Sequence, residues 1–360
     1  MTSINATELS VQRMPALIDA GRELRLPVSQ ALPFPQLSDA DKLDALLEWG
    51  NQSNAYFHLQ DGISHFGLKG LGFISFYRYQ DLLGPVHVTF SRPVCAPENL
   101  ATLLDAYHDL VGVPTIFAGL DEASANDLSH RGYRCNDIGS EYTLPTQSYE
   151  VAGKDKKWLR RVANMGKKGV VVKELSWADV DDEQVRAISD AWRSTKQIKT
   201  RELKLMTRPP VFGDEWGVRK FFAFKGDELL GYLFCDPYFK DGQVVGYTTN
   251  ITRAKPGVKP AGVQDFLVLE VMKKLKAEGV PYLALGLSPL HAMEESKGES
   301  KLLRWVLNGI YHYGSKLYSF KSLGFHKQRF KVPGEKSYAA IRDVGPLRAA
   351  WVTLKATNAL

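Results

Sequence analysis

The sequence predicts an α+β chain of two related domains in tandem, with mixed and mainly antiparallel sheets. Three observations lead there. Strand-like segments, a helix and a further strand recur in that order in both halves of the 360 residues. The stretches GVPTIFAGL (112–120) and GVPYLALGL (279–287) match at five of nine positions and hold the same place in that order. Finally, RKFFAF, LLGYLF and QVVGYTT are joined by KGDE and KDGQ, connectors of the hairpin type, and read as an antiparallel meander. Composition shifts at TQSYEVAG (146–153), so the expected domains are 1–150 and 151–360.

The elements follow in order. A helical opening leads through the Pro-rich connector at 32–35 to Ser38, which precedes Asp41 as a cap for a helix ending near Trp49. GFISFYRY and PVHVTF are β-branched or aromatic between Gly and Pro punctuation and read as strands. A helix over 100–110 and the strand PTIFAGL complete the first half. The second begins with a strongly basic helix over 154–168 and another near 181–195, then the meander. Phe266, Leu269, Met272 and Leu275 recur at three-residue spacing, which makes a buried face on a helix over 264–278, and YLALGL follows as a strand. KLLRWVLNGIYHYG (301–314) is amphipathic, with Leu302, Leu303, Val306, Ile310 and Tyr313 on one face bordered by Lys301, Arg304 and His312. That face either packs on its own core or rests on an anionic membrane with Trp305 at the boundary.

Composition narrows the function classes. Lys and Arg number 46 against 40 Asp and Glu, a balance that permits nucleic acid or an anionic membrane as partner without demanding either. Cys95, Cys135 and Cys235 lie far apart with no CxxC pair, which fits a reducing cytoplasm and argues against a disulfide framework or a cysteine zinc site. Glu8, Arg13, Asp19 and Arg22 interrupt the N-terminus, so no signal peptide is expected, and no apolar run reaches the length of a membrane span. The eight histidines show no HExxH spacing, no G-x-S-x-G elbow occurs, and no metal or cofactor is expected.

Charge is concentrated in two places. Lys154, Lys156, Lys157, Arg160, Arg161, Lys167 and Lys168 face one acid, Asp155, and Lys157, Arg160, Arg161 and Lys168 fall roughly on one side of a helix. Such a face neutralises phosphates, or is simply solvated. The late segment YSFKSLGFHKQRFK (318–331) interleaves Lys321, Lys327, Arg329 and Lys331 with Tyr318, Phe320 and Phe325. Charges on phosphate and rings on bases suit a single-stranded nucleic-acid end. The other reading is a β-strand with aromatic residues in the core and basic ones outside. Between the meander and the next helix, NITRAKPGVKPAG forms a basic Gly/Pro loop of the kind that cradles an anion at a helix N-terminus. Its spacing is broadly similar to the pyrophosphate loop of acyl-CoA-dependent N-acetyltransferases, without the usual Q/R-x-x-G-x-G/A pattern.

Four motifs in order, GKDKKWLRRVAN (153–164), NITRAKPGVKPAGVQDFL (250–267), LGLSPL (285–290) and LYSFKSLGFHKQRF (317–330), resemble the catalytic domain of bacterial phosphatidylglycerol lysyltransferases and alanyltransferases, the multiple-peptide-resistance-factor type. The resemblance spans roughly residues 50 to 340. It implies two tandem acetyltransferase-like (GNAT-type) domains and transfer of an aminoacyl group from aminoacyl-tRNA to a hydroxyl of a polar lipid. The family's membrane-spanning flippase part has no counterpart in these residues. A cytoplasmic protein, peripheral at the inner face of the membrane, is the expectation.

By the same resemblance Arg253 matches the Arg of the family's Asp-x-x-Arg, while Asn250 stands where the family commonly has Asp. Lys327 matches the first Lys of the late motif and Arg329 its second basic position. Arg253, Lys327 and Asn250 are therefore the expected catalytic positions. Lys157, Arg160, Asn164, Ser288, Tyr318, Phe320 and Arg329 are the expected substrate-binding ones. Since an aminoacyl ester is already activated, attack by the acceptor requires orientation and charge stabilisation above all. Arg253 would hold a phosphate or the developing oxyanion, Lys327 the terminal phosphates of the tRNA, and Tyr318 and Phe320 would stack or support the pocket. No general base is evident in the sequence. Two other readings stay open at this point: an acyl-CoA-dependent N-acyltransferase and a non-catalytic RNA-binding module.

Overall fold

The structure, a computed structural model, describes residues 37–195, 201–313 and 320–360. Helix α1 (Asp39–Trp49) starts where Ser38 accepts a hydrogen bond from the Asp41 amide, the cap read from the sequence. Strands β1 (Ser64–Leu68), β2 (Gly72–Asp81) and β3 (Gly84–Phe90) follow, then α2 (Leu100–Val111), β4 (Thr115–Leu120), α3 (Glu122–His130) and β5 (Arg134–Pro145). The second half runs α4 (Lys157–Ala163), β6 (Val170–Glu174), α5 (Asp182–Ser194), β7 (Arg219–Lys225), β8 (Glu228–Lys240), β9 (Gln243–Ala254), α6 (Val263–Ala277) and β10 (Tyr282–Pro289). It closes with α7 (Lys301–Tyr313), α8 (Phe320–Gln328), β11 (Gly334–Ile341) and α9 (Pro346–Ala356).

All the strands join one mixed sheet in the order β1-β2-β3-β4-β11-β5-β10-β9-β8-β7-β6. Neighbours are antiparallel except β3 with β4 and β9 with β10. Each parallel pair needs a crossover, and α2 and α6 supply it. The two GVP stretches lead into β4 and β10, which hold equivalent places after these crossovers. The fold is α+β, with a mixed, mostly antiparallel sheet.

The last strand of each half is exchanged. β5 pairs with β10 of the second half, β11 pairs with β4 of the first, and the two exchanged strands pair with each other. Helices cover both faces. α2 and α3 pack on one side of the first-half sheet, where Leu103, Leu104, Tyr107 and Leu128 are buried against Phe66, Phe76 and Phe117. α7 and α9 cover its other side through Leu303, Ala349, Val352 and Ala356. In the second half α4 and α6 share a core with Phe330 and Leu285, and α5 packs Val185 and Ile188 against Phe222 and Tyr232 opposite. Among the described residues no helix is long and apolar enough to cross a membrane.

Three local expectations change. The basic helix expected over 154–168 is shorter: α4 gives way at Asn164 to a 3-10 turn that ends at Gly169, which takes the left-handed backbone a glycine allows. The segment 318–331 is no strand where it is described; from residue 320 it is helix α8. In α7 the apolar set divides. Leu303 is buried and Val306 and Leu307 pack beside it, whereas Leu302 and Tyr313 are exposed on the flank. The helical repeat accounts for this, because residues 303, 306 and 307 centre one side and 302, 305 and 313 lie off it.

A chain cut after Pro333 would leave β4 and β5 without the strand between them and would remove the α9 face of the core. It is expected to lose the cooperative thermal unfolding transition of the full chain, measured by far-UV circular dichroism.

Candidate active site

The parallel pair β9 and β10 is short. Only Tyr282–Ala284 pair with Gly246–Thr248, and beyond Ala284 a bulge sets β10 away from β9. Gly286, with φ of 74°, makes that bend; a side chain there would be strained and would point towards the Lys327 amine. The strands diverge and a cavity of about 490 Å³ fills the splay. β9 supplies Thr248 to Arg253, β10 supplies Leu285 to Leu287, α8 supplies Leu323, His326 and Lys327, and the first half contributes Ser53, Asn54, Gly119 and Glu141. The segment 201–209 closes it.

Lys327 is buried in the wall of this cavity, and its Nζ donates to the Leu287 carbonyl at 2.7 Å. Leu287 belongs to the part of β10 that has left β9. Burial holds the Lys327 pKa down to about 7, against a smaller upward pull from Glu141. Glu141 stands on β5, opposite Leu287 in the register. Its carboxyl accepts from the Ser53 hydroxyl at 2.6 Å. Burial raises its pKa, and the Ser53 bond and the Lys327 charge only partly offset that. An amine able to exchange a proton near neutrality thus faces a carboxyl from the other half of the chain.

Arg253 and Asn250 line the same cavity in a different condition. Arg253 is buried; its terminal nitrogens donate to Glu202 at 2.6 and 3.1 Å and to Ser189, and the guanidinium lies over the Trp192 ring at 4.6 Å. Asn250 holds the 207–208 backbone as a strand neighbour would. Its Oδ1 accepts from the Arg208 amide at 3.1 Å and the Thr207 hydroxyl at 2.9 Å, and its Nδ2 donates to the Arg208 carbonyl at 3.0 Å. The last of these requires an amide. Arg208 in turn forks onto buried Asp236 at 2.7 and 3.1 Å and also reaches Glu215, whose second oxygen lies 2.9 Å from Lys220.

The comparisons with known proteins bear on this site. The model of the family described as phosphatidylglycerol lysyltransferase, C-terminal, matches residues 44–341. The chain belongs to that family. An uncharacterized protein of Corynebacterium glutamicum is 21% identical over 270 residues, covering 72% of this chain and 33% of its own. The lysylphosphatidylglycerol biosynthesis bifunctional protein LysX of Rhodococcus opacus is 23% identical over 222 residues, 56% of this chain and 18% of its own. The chain thus spans a third or less of the length of these curated relatives. Two solved structures share the fold at a TM-score of 0.69 and 18% identity: the C-terminal domain (DUF2156) of a putative lysylphosphatidylglycerol synthetase from Agrobacterium fabrum, and L-PGS from Bacillus licheniformis. They cover 88% and 89% of this chain, and 95% of each of theirs.

The motifs of this lysyltransferase-family chain do not all meet at the cavity. Arg329 lines it and also a second cavity of about 450 Å³, which shares Trp192, Gln264, His326 and Arg329 with the first. That second space is bounded by the loop 254–258 and by Gly262, whose left-handed backbone starts α6 with no side-chain cap. Trp158 of α4 borders it too and donates to Asp265 at 2.6 Å, with Arg329 and His326 on the same carboxylate at 3.5 and 3.3 Å. Burial lowers the His326 pKa, opposed by Asp265. Lys157, Arg160 and Asn164 line neither cavity; all are exposed, on the side of α4 away from Leu159 and Val162. Ser288 is buried in the β10–β5 ladder, where its hydroxyl has no hydrogen-bond partner among the described residues. Tyr318 lies outside the described residues, and the side chain of Phe320 does too.

Sequence reasoning missed Glu141, Ser53, Glu202 and Trp192. Nothing local marks Glu141, one carboxylate in the strand SEYTL. A signal existed for the 201–209 segment, since RELKLMTRPP follows a helix, ends in a Pro pair and carries unpatterned charge.

Two outcomes are expected. Asn250→Asp removes the donor to the Arg208 carbonyl and sets a carboxylate oxygen against it, so urea denaturation is expected to show a loss of about 1–3 kcal/mol. Folding depresses the Lys327 pKa to about 7. The unfolded chain therefore binds the extra proton from there up to the ordinary lysine value of about 10.4, and stability rises with pH across that window. In Lys327→Met this part of the rise is expected to vanish, with the variant gaining most over the parent below neutrality, read from urea midpoints along a pH series.

Proposed function

We propose that this chain transfers the aminoacyl group of an aminoacyl-tRNA to a hydroxyl of an anionic polar lipid, phosphatidylglycerol being the model acceptor. The observation that carries the reading is Lys327, a buried amine with a pKa of about 7 set in the splay between β9 and β10, within a family motif. Its neutral form has a lone pair for the acceptor proton, and its bond to the Leu287 carbonyl orients it. The acceptor oxygen attacks the ester carbonyl carbon as its proton passes to Lys327. The tetrahedral adduct then collapses, the bond to the ribose oxygen breaks, and Lys327 returns the proton to that oxygen. One ester replaces another, so no proton or electron is left over.

The surrounding groups take separate parts. Glu141, acidic and beside Lys327, suits the α-ammonium of the transferred amino acid. The two adjoining cavities suit two substrates meeting at a shared wall, and Arg329 with the loop 254–258 gives the second cavity its basic character. Arg253 acts here as a frame for Trp192 and the 201–209 segment, because a phosphate on it would have to displace Glu202. The exposed basic face of α4, with Lys157 and Arg160, suits the tRNA backbone as a salt-sensitive contact.

Incubation with radiolabelled aminoacyl-tRNA and dispersed phosphatidylglycerol is expected to move label into the chloroform phase in an RNase-sensitive way. Acyl-CoA is expected not to replace the tRNA. Lys327→Met is expected to reduce the rate about a hundredfold or more, and the parent rate to fall as pH drops through about 7. Label that stays in the aqueous phase with every lipid tested, or a Lys327→Met variant at parental rate, overturns the assignment.

A further inference from the structure

The large exposed apolar side chains are unevenly placed. Seven of them sit on three neighbouring elements: Leu82 and Leu83 at the β2–β3 turn, Leu347 and Trp351 on α9, and Leu302, Trp305 and Tyr313 on α7. Leu82 is fully exposed, Leu83 77%, Trp305 72% and Trp351 50%. The elements are tied together. Arg348 of α9 bonds the Asp81 carboxylate at 2.7 and 3.1 Å and the Gly84 carbonyl at 2.8 Å, the residues on either side of the Leu82–Leu83 pair. α7 and α9 pack on each other through Leu303, Ala349 and Val352. On α9, Leu347 and Trp351 are one turn apart on the side opposite Ala349 and Val352. On α7, Leu302, Trp305 and Tyr313 share the flank that the core leaves uncovered.

We propose that this face is a docking surface for an anionic lipid bilayer, with the Leu82–Leu83 turn inserted and Trp305 and Trp351 at the level of the headgroups. Charge decides between this occupant and a second copy of the chain. α7 and α9 carry Lys301, Arg304, Arg348 and Lys355 and not one Asp or Glu. Asp81 and Glu299 pair with Arg348 and Arg304, so among the described residues the charge this face offers is that of Lys301 and Lys355. A two-fold pairing of this face would set like charge against like charge. An anionic bilayer complements it, each basic residue near such a surface adding favourable energy that salt screens. Lys355 lies 4.9 Å from the Trp351 ring, an ammonium beside an aromatic of the sort that sits at a membrane–water boundary. A protruding leucine pair on a hairpin turn is also poorly shaped for a flat protein contact and well shaped for penetrating a lipid surface.

The surface stands apart from the transfer reaction, and its test needs no turnover. The full chain is sedimented with vesicles of phosphatidylcholine alone and of phosphatidylcholine mixed with phosphatidylglycerol. Binding is expected on the mixed vesicles, weakened by salt, and about tenfold or more weaker in Leu82→Ser/Leu83→Ser and in Trp305→Ser/Trp351→Ser. Circular dichroism melts check that both variants fold. Transfer to detergent-dispersed lipid is expected to stay at the parental rate in both, so loss of docking and loss of catalysis read out separately. A parent chain that leaves the mixed vesicles unbound overturns the proposal, as do variants that bind as the parent does. A parent dimer in sedimentation velocity that the same substitutions dissolve assigns the face to a second copy instead.

Discussion

The exchange of β5 and β11 between the halves is the constraint on which the rest of the structure depends. β5 leaves the first half to pair with β10, and β11 leaves the second to pair with β4. Glu141 is carried on β5 to lie opposite Leu287 on one side and Glu335 on the other. Lys327 sits on α8, the helix that leads into β11, and bonds the Leu287 carbonyl. Without the exchange Glu141 would stay in the sheet of the first half and would not stand beside β10. With it, the candidate site lies near the centre of an eleven-stranded sheet.

The charges around the cavity are handled by a common rule. A buried ion is tolerable when paired and hydrogen-bonded, and buried groups left unpaired shift towards their neutral forms. Arg208 takes the first course with Asp236 and Glu215, and Arg253 does so with Glu202 and Ser189. Lys327 takes the second: its hydrogen-bond partner among the described residues is a neutral carbonyl, and Glu141 reduces the effect of burial without cancelling it. Arginines therefore build the wall, and the lysine, held near neutrality, is a group able to gain and lose a proton. Asn250 belongs to the wall as well, since its amide does for residue 208 what a neighbouring strand does for a backbone.

Much of the fold was legible because its signals are local. The cap at Ser38, the hairpin connectors KGDE and KDGQ, and the buried face of α6 each depend on residues within a few positions of one another. The repeat of GVPTIFAGL and GVPYLALGL pointed to equivalent strands, and β4 and β10 are equivalent. Reading failed where the period of a segment was broken or ambiguous. A run such as SFKSLGFHKQRF has no clean helix or strand period, and its description as helix α8 depends on packing beside β10. α7 was read with one apolar face, but a face wide enough for five residues exceeds what the core covers, so its flank remained outside.

By itself the sequence determined the α+β class, the order of the elements, the family and the motif that holds Lys327, because periodicity, turn chemistry and ordered motifs are written along the chain. Only the tertiary structure decided which half each terminal strand completes and that Glu141 and Lys327 line one cavity. It also decided that Arg253 is already engaged by Glu202, and that Leu82, Trp351 and Trp305 are left exposed. The physical reason is the same in each case. Pairing between distant strands and the burial it causes set the charge state and partners of a side chain, and neither follows from that side chain's immediate neighbours in sequence.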